Sequence, residues 1–307
     1  MPISTPIDTF NNTAVAPPDF EPFWHNTLEA LALVPPRTEM QLQARRSGIC
    51  HHSLSFDSFN HARIHGYLLK WDDTSSRPLV IYTHGYNGQC DVVWQWAEQG
   101  FNVLGIDTRG FGRSAIDISK YGWILTGIES ATSSILRGAV CDYVRAAQLA
   151  PSLLNALPSR TIFYGYSFGG AMALMAEAVS PTADLVAAGV PSFGWMEGRR
   201  KLVKLGSGAQ VNQYLKKYPE QDGLVMSTLS YFDTVNFAQL IRKPTLIGYG
   251  RKDVVVPAET VIAVSDALSC EHKLREFPYS HSEQPEEVLW GEFEHEWQQM
   301  LITGKLL

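Results

Sequence analysis

The chain has 307 residues, 45% of them hydrophobic and 18% charged, which is ample for one large α/β core and reads as a single domain over residues 1–307. Its formal charge of -6 and pI near 5.8, with Lys and Arg scattered apart from the run Arg199, Arg200, Lys201, exclude the basic excess that nucleic acid or an anionic membrane surface would require. Cys50, Cys90, Cys141 and Cys270 lie far apart with no C-x-x-C spacing, so they read as free thiols rather than zinc or redox ligands.

The N-terminal stretch MPISTPIDTFNNTAVAPPDFEPF has neither a basic n-region nor a signal-like apolar run, and no segment reaches membrane-span length. The expectation is a soluble, cytoplasmic protein. Residues 1–36 read as a Pro-rich arm and a short amphipathic helix over Phe20 to Val34, in which Phe20, Phe23, Trp24, Leu28 and Leu31 recur near helical spacing and Pro35 and Pro36 end the helix. Ile49 to Phe56 and Arg63 to Trp71 alternate apolar and polar residues around Ser58 to His61, an antiparallel hairpin pattern.

From Pro78 onward, short apolar runs alternate with helical stretches, as in a parallel sheet covered on both faces. The predicted strands are Leu79 to Thr83, Asn102 to Asp107, Thr161 to Gly165, Leu185 to Val190, Thr245 to Gly250 and Lys273 to Phe277. Helices are predicted over Cys90 to Gln99, Ser134 to Ala150, Phe168 to Val179, Ala258 to Leu268 and Pro285 to Leu301. Residues 191–232 break the rhythm with five glycines and several aromatics, and read as a small cap, lid or interface insertion.

Within this pattern, Thr161 to Gly170 reads TIFYGYSFGG, a buried strand followed by G-x-S-x-G and the helical AMALMAEAV. That is the setting of a nucleophile elbow, with Ser167 as candidate nucleophile. Gly165 and Gly169 suit a turn that presses strand and helix backbones together. The order on such a sheet is Ser, then Asp or Glu, then His. Asp253 in GRKDVVVP follows a predicted strand and stands too early to cap the helix after Pro257, so it is the candidate acid; Asp233 and Asp266 compete less well. His281, 28 residues later in FPYSHSEQPEE, is the candidate base, because an imidazole titrating near neutrality can take the serine proton and return it to a leaving alkoxide. His272 and His295 are placed before a strand and inside the last helix.

An oxyanion needs two backbone N–H donors, one from the residue after the nucleophile and one from the loop after an early strand. These fall on Phe168 and, in VIYTHGYNG, on Tyr86, with Gly85 making the turn and His84 ordering the loop. The histidines at 51, 52, 61 and 65 lack the spacing of a metal site, and no G-x-G-x-x-G or P-loop is present, so neither a metal nor an organic cofactor is implied. The partner these residues call for is a small-molecule ester.

Several ordered landmarks resemble the acetyl xylan esterase and cephalosporin C deacetylase group of carbohydrate esterases. They are DFEPFWHNTLEAL at 19–31, HGYNG at 84–88, DTRGFGRS at 107–114, SSILRGAVCDYVRAAQ at 133–148, GYSFGG at 165–170, YFDTVNFAQLIRKPTL at 231–246 and GRKDVVVP at 250–257. The resemblance implies an α/β-hydrolase fold, a triad at Ser167, Asp253 and His281, oxyanion donors at Tyr86 and Phe168, and an R-G-x-G stretch from Arg109 to Gly112 that holds the active-site loops. It also implies a low-specificity deacetylase of small acetylated sugars and antibiotics, assembled as a ring of subunits. This chain departs at Phe111 and Phe168, where the family usually has Gln, and at Ser282, where it usually has Glu. The two phenylalanines are expected to make the pocket more apolar.

Overall fold

The computed structural model describes residues 13–281 and 287–306. Helix α1 (Phe20–Ala32) leads into the edge strand β1 (Glu39–Arg46), then β2 (Ile49–Asp57) and β3 (Arg63–Trp71). There follow β4 (Leu79–Thr83), α2 (Trp94–Glu98), β5 (Asn102–Asp107), α3 (Ile135–Leu153), β6 (Thr161–Tyr166), α4 (Phe168–Val179) and β7 (Leu185–Gly189). The insertion supplies α5 (Met196–Leu202), α6 (Gly206–Lys217) and α7 (Asp222–Ser230). The chain closes with α8 (Thr234–Ala238), β8 (Thr245–Gly250), α9 (Ala258–Ala267), β9 (His272–Phe277) and α10 (Glu287–Thr303). The predicted start of α10 at Pro285, Ser282, and residues 1–12 of the arm lie outside the described residues.

Among the described residues nine strands join one sheet in the order β1-β2-β3-β5-β4-β6-β7-β8-β9. The first three run antiparallel to their neighbours, β3 pairing antiparallel with β5, and every pair from β5 to β9 is parallel. Adjacent residues of the central strands serve opposite cores. Ile81, Leu104 and Phe163 join the apolar cluster that includes α1 and α3, whereas Val80, Val103 and Ile162 join the one that includes α2 and α10. Alternation of side chains on a strand covered from both sides requires this, and it is why these strands read as unbroken apolar runs. Among the described residues no helix is long and apolar enough to cross a membrane.

Three sequence expectations are corrected. Strand β1 was not predicted; all eight of its residues are exposed, so EMQLQARR carries no one-faced alternation and is held at the sheet edge by pairing with β2 alone. The helix predicted over Cys90 to Gln99 shrinks to α2, because the Cys90 N–H donates to Asp107 Oδ1 at 2.7 Å and draws the preceding segment along the end of β5. His272 is the first residue of β9 rather than a residue before it.

At the end of α4, Glu177 is 2% exposed; its Oε2 accepts the N–H groups of Thr182 and Ala183 at 3.1 and 3.0 Å, while Oε1 has no partner among the described residues. Burial pushes this carboxyl up from 4.5 to about 7. Because the folded value lies above the unfolded one, the folded state keeps a proton that the unfolded chain releases, so stability falls as pH rises from about 4.5 to about 7 and is flat beyond. Glu177→Gln, which places a donor where the proton would sit, is expected to raise the unfolding free energy at pH 8 by on the order of 2 kcal/mol and to change it little at pH 4. Urea denaturation at both pH values measures this; an equal effect at the two would refute it.

Candidate active site

The turn from β6 into α4 is dictated by its glycines. A Cβ on Gly165 would lie 2.0 Å from the Gly169 carbonyl carbon, and one on Gly169 would lie 2.3 Å from the Thr83 carbonyl oxygen, so strand, helix and the neighbouring strand end meet backbone to backbone. Between them Ser167 adopts φ 56°, ψ -114°, a conformation that costs a non-glycine residue of order 1–3 kcal/mol. It is held there because the Ser167 N–H donates to the Gly189 carbonyl at 2.7 Å and its own carbonyl accepts from the Ser192 N–H at 3.0 Å. The hydroxyl lies 3.3 Å from Ser192 Oγ.

Asp253 follows β8 and is buried. Its Oδ1 accepts the N–H groups of Val255 and Val256, both at 2.8 Å, which fixes the turn before α9. Its Oδ2 accepts from His281 Nδ1 at 2.5 Å and from the Ser280 hydroxyl. Burial works to raise this carboxyl, but the bond from His281, its charge and the Ser280 hydroxyl outweigh it and hold the group below the ordinary Asp range. With Nδ1 engaged, His281 turns Nε2 inward, where it is buried and without a partner among the described residues. The Tyr166 hydroxyl donates to the Ser280 carbonyl at 2.7 Å, and its ring lies 5.1 Å from the His281 ring.

On the facing loop, His84 Nδ1 donates to the Gly85 carbonyl at 2.7 Å and its Nε2 accepts the Thr108 N–H at 3.2 Å, so this imidazole is occupied in ordering the loop, and burial lowers its pKa. Gly85 has open space where a Cβ would project, so it supports the loop through its carbonyl rather than by lacking a side chain. Neither the Tyr86 nor the Phe168 backbone N–H has an acceptor among the described residues. The Tyr86 hydroxyl donates to Gln210 Oε1 at 2.7 Å and accepts the Ile124 N–H at 3.2 Å, tying the loop to α6 and to the turn at Trp123.

Phe168 is fully buried and Phe111 is 6% exposed. They pack with Trp123 and Tyr86 at centroid distances of 5.0 to 6.1 Å. Below them, Arg109 donates through Nε and a terminal nitrogen to buried Asp142 at 2.9 and 2.6 Å, and to the Phe59 carbonyl at 3.0 Å. Trp123 Nε1 donates to the Arg109 carbonyl at 2.8 Å. Sequence reasoning passed over Ser192, Ser280 and Gln210, since a lone Ser in a loop or Gln on a helix carries no signal until the fold brings it to the site.

Ser167, Asp253, His281, Tyr86 and Phe168 thus all stand at the carboxyl ends of parallel strands or in the first turn after them. A glycine-walled elbow after the central β6, an acid after β8 and an imidazole after β9, on a mostly parallel sheet with an antiparallel start, define an α/β-hydrolase. The acetyl xylan esterase (AXE1) family profile matches residues 1–298, and the chain belongs to that family. An acetyl xylan esterase from Paenibacillus sp. R4 superposes with TM-score 0.83 at 26% identity, over 92% of this chain and 95% of the other. Acetyl xylan esterase 1 from Thermoanaerobacterium sp. JW/SL YS485 superposes with TM-score 0.85 at 23% identity, over 95% and 96%. The acetyl esterase Axe7A of Xylanibacter ruminicola is 22% identical over 271 residues; the match takes in 82% of this chain but only 60% of that protein's length.

Proposed function

We propose that this protein is a serine carboxylic ester hydrolase acting on short, mainly acetyl, esters of small sugars or related metabolites. The reading is carried by the His281–Asp253 pair at 2.5 Å beside the strained elbow of Ser167. Nδ1–H donation to Asp253 fixes the tautomer in which Nε2 is the free base. Turned from Ser192 toward His281, the Ser167 hydroxyl gives its proton to Nε2 as Oγ attacks the ester carbonyl; such contacts commonly tighten only with substrate bound. The developing oxyanion is received by the Tyr86 and Phe168 N–H groups. The intermediate collapses with loss of the alkoxide, which takes the proton from His281, and water then releases the acid from Ser167 by the same route. The acetyl xylan esterases of the family support the acetyl group. A homo-oligomer, the assembly implied by the resemblance, belongs to the same reading and is tested by light scattering.

The test is a series of initial rates on p-nitrophenyl acetate, butyrate and octanoate, with fluorophosphonate labelling mapped by mass spectrometry. Acetate is expected to be fastest and the label to fall on Ser167. A preference for octanoate would overturn the acetyl assignment alone. A folded protein with neither turnover nor label would overturn the enzyme and leave a ligand-binding hydrolase scaffold.

A further inference from the structure

An ionised carboxylate offers about four lone-pair sites, and the fold fills every one on Asp253. Oδ1 accepts the Val255 and Val256 N–H groups, each at 2.8 Å, while Oδ2 accepts His281 Nδ1–H and the Ser280 hydroxyl. The last of these donors lies outside the Ser–His–Asp triad. Ser280 is 1% exposed, and its hydroxyl sits in a slot at the end of β8. A Cβ on Gly250 would lie 2.3 Å from Ser280 Oγ, so the glycine there is what lets the hydroxyl reach the acid.

The main chain of Ser280 is held from the elbow, where the Tyr166 hydroxyl donates to its carbonyl at 2.7 Å. Tyr166 immediately precedes the candidate nucleophile and Ser280 immediately precedes the candidate base. One bond therefore ties together the two loops that must present Ser167 and His281 to each other.

We propose that Ser280 is a positioning residue acting through Asp253: by donating to the oxygen that also accepts from His281, it fixes the carboxylate and draws off part of its charge, which lowers the basicity of the imidazole. The inference rests on the esterase reading for its effect on rate. A carboxylate raises the basicity of an adjacent imidazole by stabilising the imidazolium, and a second donor on the same oxygen competes for that charge. Ser280 and Nδ1 keep their protons throughout; the proton that moves is the one Nε2 takes from Ser167 and returns to the alkoxide.

The other charged and titratable groups around this pair are engaged elsewhere. Arg251 pairs with Glu276 at 2.6 Å, and the exposed Lys252 ammonium donates to the Tyr279 hydroxyl at 3.2 Å. Exposed Lys204, on the link between α5 and α6, meets this loop through its backbone N–H, which donates to the Val254 carbonyl at 3.3 Å. From the elbow comes Tyr166, whose hydroxyl is spent on Ser280. A change confined to the Ser280 hydroxyl leaves all of these in place.

The test compares wild type, Ser280→Ala and Tyr166→Phe by the pH dependence of kcat/KM on p-nitrophenyl acetate, whose acid limb reports the base of the free enzyme. His281 must be neutral to act, so raising its pKa moves that limb to higher pH. Ser280→Ala is expected to shift the limb upward by roughly half a pH unit or more and to lower kcat about tenfold. Tyr166→Phe, which loosens the brace but leaves the Asp253 donors, is expected to lower kcat with the limb unmoved. The low-field proton NMR signal of His281 Nδ1–H, titrated in the same proteins, should show the same upward shift in Ser280→Ala alone. Should Ser280→Ala fold poorly, Ser280→Cys, which keeps a weaker donor, gives a smaller shift in the same direction. An unmoved limb and an unmoved NMR titration in the Ser280 variants, or an equal shift in Tyr166→Phe, would overturn the proposal. Absence of nitrophenyl ester turnover in the wild type would count against the esterase alone, because the NMR titration is read without turnover.

Discussion

Ser167→Ala is expected to lower kcat on p-nitrophenyl acetate by at least about 10⁴-fold while leaving the thermal midpoint almost unchanged. The two halves of that expectation have separate grounds. Removing Oγ removes the atom to be acylated, and any residual rate comes from the oxyanion donors and from His281 acting on water. Stability is spared because the hydroxyl's one hydrogen-bonding contact among the described residues, to Ser192 Oγ at 3.3 Å, is outside the range of a good O–H···O bond. The strained backbone is shared by Ser and Ala, and the two bonds that hold it, Ser167 N–H to Gly189 and Ser192 N–H to the Ser167 carbonyl, involve no side chain. Rates and midpoints measured on the same preparations decide it. A folded variant within tenfold of wild type would sink Ser167 as nucleophile and turn attention to Ser192, whose hydroxyl is its neighbour.

That the elbow could be read beforehand follows from how strongly its chemistry constrains residue type. Gly165 and Gly169 leave no space for a Cβ, and the apolar strand and helix on either side are demanded by burial on both faces, so sequence pattern and geometry coincide. Asp253 and His281 were legible for a related reason: Asp253 stands where the buried β8 ends and His281 shortly after the half-exposed edge strand β9, and chain order admits few rivals. Strand β1 was not legible, because a fully exposed edge needs no apolar face, and the short α2 was masked by a run of residues compatible with either state.

The missed site residues act across long separations. Gln210 meets Tyr86 across 124 positions, and Tyr166 meets Ser280 across 114. Such pairings arise from the sheet order, which places β6 beside β7 and β8 beside β9, and a single sequence does not encode that order locally. Phe111 and Phe168 teach the complementary point. Their replacement of polar family residues was visible in the sequence, but only the packing around Trp123 reveals that both rings point into the interior.

Asp142→Ala is expected to cost 3–5 kcal/mol of stability by the general figure for breaking a buried ion pair, a large share of the roughly 5–15 kcal/mol that holds a folded domain together. Asp142 is fully buried and Arg109 is 6% exposed, and the guanidinium is hemmed in: a Cβ on Gly138 would come within 2.0 Å of it. Deleting the carboxylate strands a cation in a space that water cannot enter freely. The damage should reach the site, because Arg109 links the Phe59 loop, α3 and, through its carbonyl, the indole of Trp123, which packs on Phe168 5.1 Å away and on Tyr86. Esterase activity is therefore expected to fall in Asp142→Ala even well below its unfolding temperature. A double variant separates charge from shape: Arg109→Met with Asp142→Leu removes both charges and should be more stable than Asp142→Ala, since an apolar pair of similar volume often replaces a buried ion pair at little cost. Guanidinium unfolding of the three proteins gives the comparison. A loss below about 1 kcal/mol in Asp142→Ala would place the pair with ordinary surface ion pairs, and the loops above it would then owe their position to the aromatic packing alone.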